Sequence, residues 1–495
     1  MTMRSSPTFR PWHAAALACL LASSLPGCDS PNPAFCDPGT PCPAGQVCNV
    51  DTQTCVSIGD MPDAAACSAT MPCAGDQFCE VSAGVCHDCG GLPAPGQSAE
   101  LCTDIAAPVC DGFVCRRCEA DAECDSGVCL PDGACAAAAT VLYAAPVDTG
   151  NPDCNTPVTA CDLDQALGLV TTNRFIVKLT GTAEYNRTQS IILNEKVTLT
   201  GTVTIRTNAI GDDGIIIGAG GDVTLVNLTV RDASGPSSDN IKCEQGGVVH
   251  LFDVNLLNAD DVGLDADDCT ATVFGGTFSM NNGGGLTLAT AGALSIEGST
   301  VSGNQGGGIS SSGGSLTVSG STVSGNQGGG ISSSGGSFDI TNNFIVRNGD
   351  SNSSEFGGVV LASTLASRFA FNTVADNEVR NGTLVTTGGV ACGASMVTAG
   401  SNIVFRNAVG STVNVGNQQT GACVGAGSVV EVTGNRIAFA SPEISPYDYH
   451  LTAASPADVK NAAGATCAVA TDVDGQARPN ESGCDIGADE YYPAQ

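Results

Sequence analysis

Two short segments hold the side chains best suited to chemistry: SerAspAsnIleLys at 238–242 and AlaAspAspValGlyLeuAsp at 259–265. Asp239 and Asp261 stand one repeat length apart. Paired carboxylates can protonate a leaving oxygen and activate water, and Asp239, Asp260 and Asp261 are the candidates for those roles. Calcium binding is a second chemistry, because that ion takes six to eight oxygens from converging groups. Asp212, Asp213, Asp239, Asp261 and Asp265 could supply several of them. Any proton abstraction beside such an ion needs a base, and Arg231 and Lys242 are the nearby basic residues. The simplest alternative is a solvated or stacked role. Asp260 shares a 22-residue register with Asn282, Asn304, Asn326 and Asn348, which suggests one column of side chains.

These residues must be positioned by coils. Residues 298–315, GSTVSGNQGGGISSSGGS, recur unchanged at 320–337, a period of 22 residues. A period of that size, with three short apolar clusters and no helix-length amphipathic run, means parallel stacked turns. Leu316 and Val318 alternate with Thr317 and Ser319, so the apolar side points inward. Leu294 with Ile296, Leu316 with Val318, and Phe338 with Ile340 then lie on successive coils, like over like. The glycine triplets 306–308 and 328–330 suit sharp corners with positive backbone dihedrals. Ile215, Ile241, Leu264 and Leu286 extend the pattern upstream, and Phe369 and Phe371 extend it downstream, for about a dozen coils. The expected fold class is all-β, a right-handed parallel β-helix of 22-residue coils preceded by small disulfide-rich modules. Residues 140–172 should cap its start, with Leu163, Ala166, Leu167 and Val170 on one helical face.

The chain has 26 cysteines, and between Cys36 and Cys135 they fall into four sets of four. The sets beginning at Cys36 and Cys67 share the spacing Cx5Cx5Cx6C. Modules this small bury little, so covalent cross-links must hold them, and an oxidising compartment is the expected setting. Later in the chain, Cys154 with Cys161, Cys243 with Cys269, Cys392 with Cys423, and Cys467 with Cys484 are plausible disulfides. Histidine is too scarce to favour metal sites among the cysteines, with only His87, His250 and His450 beyond residue 28. A net charge of -32 argues against nucleic acid and anionic membrane surfaces as partners and suits cation binding.

The first 27 residues read as an export signal: Arg4 and Arg10, an apolar run from Ala14 to Ala22, then LeuProGlyCys at 25–28. The tetrapeptide resembles the bacterial lipoprotein signal, which implies that Cys28 is lipidated and tethers the protein to a membrane, with 28–35 as a linker. Pro26 departs from the small residue usual there.

Residues 449–495 form the closing segment. AlaSerProAlaAsp at 454–458, AspValAspGly at 472–475, Arg478 and AspIleGlyAlaAspGlu at 485–490 resemble the choice-of-anchor Q region that ends many bacterial right-handed β-helix proteins of pectin-lyase-like fold. This resemblance implies an outer-membrane or cell-surface protein and specifies no reaction. By elementary pairing, Arg478 should bond Asp474, Asp485 or Glu490. Asp239, Asp260 and Asp261 also resemble the first two acidic motifs of polygalacturonases, yet AsnAsnGlyGlyGly at 281–285 stands where that family's histidine motif should fall. The sequence therefore favours a non-enzymatic structural or adhesive lipoprotein, with coils over 173–448 offered to an extracellular polysaccharide or another surface protein. A polysaccharide lyase or glycosidase using the Asp239 to Asp265 cluster is the alternative.

Overall fold

A computed structural model describes residues 107–493 apart from 112–113, 148, 209–210, 384 and 432–436. It also describes Cys102 and the backbone of four strands, Gln46–Asn49, Thr54–Ser57, Phe78–Glu80 and Val85–His87. The export signal, Cys28 and its linker, and Cys36, Cys42, Cys67, Cys73 and Cys89 lie outside the described residues. The chain divides into a unit ending at Ala136 and a second spanning Ala137–Pro493.

In the first unit, two hairpins with the same module spacing place Cys48 opposite Cys55 and Cys79 opposite Cys86. The last module is held by Cys118–Cys129 and Cys124–Cys135, and Cys102 is bonded to Cys115. Although Cys118, Cys124 and Cys135 bring their sulfurs close together, all three are spent in disulfides and offer no thiolate to a metal.

The second unit is a right-handed parallel β-helix. Each coil contributes one strand to each of three parallel sheets, which hold ten, twelve and eleven strands and are called sheets 1, 2 and 3 here. One coil illustrates the order: Ile215–Ile217 in sheet 1, Asp222–Val226 in sheet 2, Thr229–Arg231 in sheet 3, then a corner leading to Ile241–Cys243 in sheet 1. Like stacks on like inside. Ile215, Ile241, Leu264, Leu286, Ile309 and Ile331 pair in register from coil to coil. Leu294, Leu316 and Phe338 do the same in sheet 2, and all of these side chains are buried.

The corners differ from expectation in two ways. First, most left-handed residues are single positions outside the glycine triplets, of which only Gly329 takes a positive φ, at 121°. Asn227, Asp253, Gly298, Gly320 and Asn342 turn the chain from sheet 2 into sheet 3 with φ of 52–60°. Asp232, Asn258, Met280, Gly303 and Gly325 do so where sheet 3 ends, at 57–66°. The triplets are glycine mainly because neighbouring coils lie too close for a side chain. A methyl group on Gly308 would come within 2.8 Å of both Asn326 Nδ2 and the Gly330 carbonyl. Second, the buried amide column passes through Asn281, not Asn282, because that coil carries one extra residue. Asn281 Nδ2 donates to Asn304 Oδ1 at 3.0 Å, Asn304 to Asn326 at 2.8 Å, and Asn326 to Asn348 at 2.9 Å. The series continues through Asn377 and Asn407 to Gln418. Asn282 belongs to an exposed outer row in which it donates to Asp260 and accepts from Gln305. A second buried series runs along the opposite corner through Asn343, Asn372 and Asn402.

At the start of the solenoid, Asp162 caps the helix Leu163–Gly168 by accepting from Gln165 N at 3.0 Å. Leu163 and Ala166 are buried beneath it, and Val170 lies beyond its end. Cys154–Cys161 staples this segment, and Cys243–Cys269 and Cys392–Cys423 bridge neighbouring coils. Near the other end the chain folds back onto the outer face of sheet 3. Phe439, Tyr449, Leu451 and Ile486 cover Phe344, Ile403 and Phe405 there. Arg478 is buried against Glu490 at 3.2 Å and also donates to the Asp485 and Gly487 carbonyls, while Cys467–Cys484 closes the segment.

Each ladder asparagine satisfies several buried polar groups at once, so Asn326→Ala should strand both the Asn304 amide and the Val301 carbonyl. A loss of about 3 kcal/mol is expected, read as a lower denaturant midpoint of the full chain, whereas Asn282→Ala in the exposed row should cost less than about 1 kcal/mol.

Candidate functional site

The acidic segments fall where the chain enters sheet 1, at the corner after sheet 3. Asp213, Asp239 and Asp261 occupy that corner on three successive coils, linked by the main chain. Asp239 N donates to Asp213 Oδ1 at 2.8 Å, and Val262 N donates to Asp239 Oδ1 at 2.9 Å. Lys242 and Asp265 are register partners on adjacent strands of sheet 1, in the row that faces outward. The row continues through Thr287, Ser310 and Ser332, a line of hydroxyls leading away from the cluster. Asp261 leans over Gly283, where a methyl group would overlap its Oδ1, so a glycine on the next coil makes room for the carboxylate. Cys243, immediately after Lys242, is tied to Cys269 and fixes the strand that carries the lysine.

Four of the aspartates influence one another electrostatically. Burial pushes the Asp239 carboxyl up to about 7, with Asp265, Asp213 and Asp261 adding to the rise, and the side chain is only 4% exposed. Burial also raises Asp213 and Asp261, whose proton affinities are further increased by Asp265 and moderated by Lys242. Asp213, Asp239, Asp261, Asp265 and Lys242 thus act on one another across three coils.

The remaining candidates stand apart. Asp260 spends both oxygens on the corner, accepting from Gly235 N at 2.8 Å and from Asn282 Nδ2 at 3.3 Å, so it does not join Asp239 and Asp261 as a third acid. Asp212 is held by a backbone bridge to Ser234. Arg231 is occupied by Asp232 at 3.0 Å, which leaves Lys242 as the basic group of the cluster.

A second set of titratable groups lies in the closing segment. A cavity of about 350 Å³ opens between the outer face of sheet 3, at Thr300, Thr322 and Phe344, and the segment bearing Tyr447, His450 and Asp474. His450 Nδ1 lies 2.6 Å from Asp448 Oδ1, and Nε2 lies 2.9 Å from Asp474 Oδ2, close but out of line for a hydrogen bond. Asp489, buried behind them, accepts from Leu451 N at 2.6 Å. Burial disfavours the imidazolium, but Asp474, Asp489 and Asp448 outweigh it and bring His450 up to about 9. Sequence reasoning missed this group. The available signals were one of the few histidines and the AspValAspGly segment, whose residues are distant in sequence from Asp489.

Comparisons with known proteins address the fold. Residues 284–444 match the family described as "Right handed beta helix region". The solved structure "Crystal structure of pectate lyase Pel9A" aligns with 71% of this chain and 96% of its own, at 16% identity and a TM-score of 0.42. No curated protein matches.

The raised Asp239 carboxyl makes a signed prediction for chelator-treated protein. Between pH 4 and 7 the folded state holds a proton that the unfolded state has released, so this group's contribution to stability is lost as the pH rises through about 7. Asp239→Asn keeps an oxygen for Val262 N but carries no charge. It should therefore melt higher than the parent at pH 8, by on the order of 2 kcal/mol in stability, with the difference vanishing near pH 4. An equal effect at both pH values would show that the carboxylate is not strained by burial.

Proposed function

We propose that this chain is an exported β-helix enzyme that cleaves an acidic polysaccharide by β-elimination, with Lys242 as base and Asp213, Asp239, Asp261 and Asp265 as a cation-binding set. The observation that carries this reading is the succession of Asp213, Asp239 and Asp261 on three stacked corners beside the register pair Lys242 and Asp265, at the edge of an outward row of hydroxyls. The donor type suits calcium, since all the groups are hard carboxylate oxygens and Asp213, Asp239 and Asp265 each commit Oδ1 to a neighbour and leave Oδ2, although no three of them bring ligand atoms within 4.8 Å of one another. Bound there, calcium would supply positive charge to a substrate carboxylate and so acidify the adjacent carbon.

The chain's own residues account for the rest of the step. The neutral Lys242 amine takes the proton from the carbon next to the uronate carboxyl. The released electron pair forms a carbon–carbon double bond as the bond to the glycosidic oxygen breaks, and that oxygen takes a proton from water. The Thr287, Ser310 and Ser332 row offers hydroxyls to the sugars on either side of the break. Because Asp260 is turned into the corner, a hydrolase that needs Asp239, Asp260 and Asp261 together is the weaker reading.

A second reading is favoured by the bonds from Asp239 N to Asp213 and from Val262 N to Asp239. These carboxylates brace a corner, as they would in a non-catalytic surface protein that presents its coils to a polysaccharide or a protein partner. On either reading the paired cysteines suit an oxidising compartment. Lipidation of Cys28, a membrane tether and a choice-of-anchor Q-like closing segment complete the proposal for where it resides.

The test is incubation with polygalacturonate and other uronate polymers in millimolar calcium, following double-bond absorbance and reducing ends together. Lys242→Ala should lower kcat by about 10²–10⁴-fold. Asp261→Asn should abolish the calcium requirement along with the activity. Absence of both products from every uronate polymer would leave the corner-bracing reading.

A further inference from the structure

The His450 cavity has the features of a metal site, and they are independent of the sheet 1 cluster. One ligand atom each from His450, Asp474 and Asp489 lies within 4.8 Å of the other two, the separation expected around a single ion. The three come from different parts of the closing segment. His450 sits on the strand Asp448–Leu451, Asp474 on the AspValAspGly turn and Asp489 near the chain end. The imidazole is oriented for ligation. Asp448 Oδ1 accepts from both His450 N, at 3.0 Å, and the ring Nδ1. That bond turns Nε2 toward the carboxylates, as an outer carboxylate does for a metal-bound histidine. Phe344 packs edge-on against the ring with centroids 5.1 Å apart and restricts its rotation. Nε2 is itself buried and makes no hydrogen bond, although Asp474 lies beside it. His450 and Asp474 line the cavity while Asp489 is buried behind, so an ion held by all three would keep one side open to the cavity.

We propose that His450, Asp474 and Asp489 bind one divalent transition-metal ion of the zinc class, with Asp448 as the positioning residue and the open side of the ion facing the cavity. One imidazole nitrogen with two carboxylate oxygens suits zinc and its neighbours better than calcium or magnesium, which favour all-oxygen sets. Binding replaces the proton on Nε2, which leaves to solvent. The ion would also pin the chain terminus to the strand that covers Phe344 and Phe405 on sheet 3.

The experiment is titration of chelator-stripped, fully oxidised full-length protein with zinc chloride by calorimetry, with melting temperature read in parallel. We expect one zinc equivalent, a rise in melting temperature, and no comparable response to calcium at this site. Cobalt(II) in place of zinc should give visible d–d absorption from a site containing nitrogen. His450→Gln and Asp474→Asn should each remove the zinc-dependent rise, and Asp448→Asn should weaken binding about 10–100-fold. Because these variants could loosen the closing segment by themselves, the quantity compared is melting temperature with zinc minus melting temperature in chelator. Asp261→Asn, in the other cluster, should keep full zinc binding, so the two proposals fail separately. No binding by the parent protein, or an undiminished increment in both His450→Gln and Asp474→Asn, would overturn the assignment.

Discussion

A parallel solenoid must satisfy the polar groups of its buried corners using only the coil above and the coil below. Where strands end, the backbone N–H and C=O groups leave the sheet ladders, and burying them unpaired costs about 1–3 kcal/mol each. Asparagine meets this demand because its amide both donates and accepts. In this protein the same move is made at each corner coil: Oδ1 accepts from the preceding coil, and Nδ2 donates both to a carbonyl of the preceding coil and to the next Oδ1. The aliphatic stacks supply the hydrophobic gain, and the amide columns decide how the coils align.

Coil length follows from the same demand. Between Leu264 and Ile331 the register partners in sheet 1 are spaced 22 or 23 residues apart, and the sequence repeats almost verbatim. On either side the coils lengthen. The step from Ile215 to Ile241 takes 26 residues and that from Ile331 to Val359 takes 28. Added residues go into the corner before sheet 1, since the strands keep their register. The first of these enlarged corners holds Asp239, with Asp213 and Asp261 in the corners of the coils on either side, and the last long coils carry much of the face of sheet 3 that the closing segment covers.

This explains what could be read from the sequence. The coils were legible because a literal repeat and inward-facing aliphatics report stacking directly, and the helix at Leu163–Gly168 because its cap and apolar face are contiguous. The amide column was assigned one residue out at Asn281 because an inserted residue does not disturb the visible period of the neighbouring coils. The glycine triplets suggested left-handed turns, yet close approach between coils is the larger reason for them, and that depends on spacing that no single repeat reveals. Lys242 and the four aspartates were visible as a local concentration of charge, whereas the departure of Asp260 depended on which side of the corner it faces. The His450 group was not legible, because Asp448, Asp474 and Asp489 converge only when the chain end folds back over sheet 3.

The presence of carboxylates beside a corner whose amide column is already carried by Asn240 is the strongest physical argument that the acidic cluster has a role beyond architecture. Asp239 accepts from Val262 N much as Asn304 accepts from Asn281 N, so an asparagine could hold the corner there too. A carboxylate has no donor with which to continue a column, and its like-charged neighbours raise the cost of burial. Deeper in the solenoid the chain uses asparagine at each such buried corner from Asn281 to Asn407. The column also continues beside Lys242 through the buried Asn240, whose Nδ2 donates to Asn281 Oδ1 at 3.3 Å, so Asp213, Asp239 and Asp261 are additional to it, and the fourth carboxylate, Asp265, adds to the excess. A purely structural corner has no need of that excess. On the proposed reading, that excess is what would hold a cation.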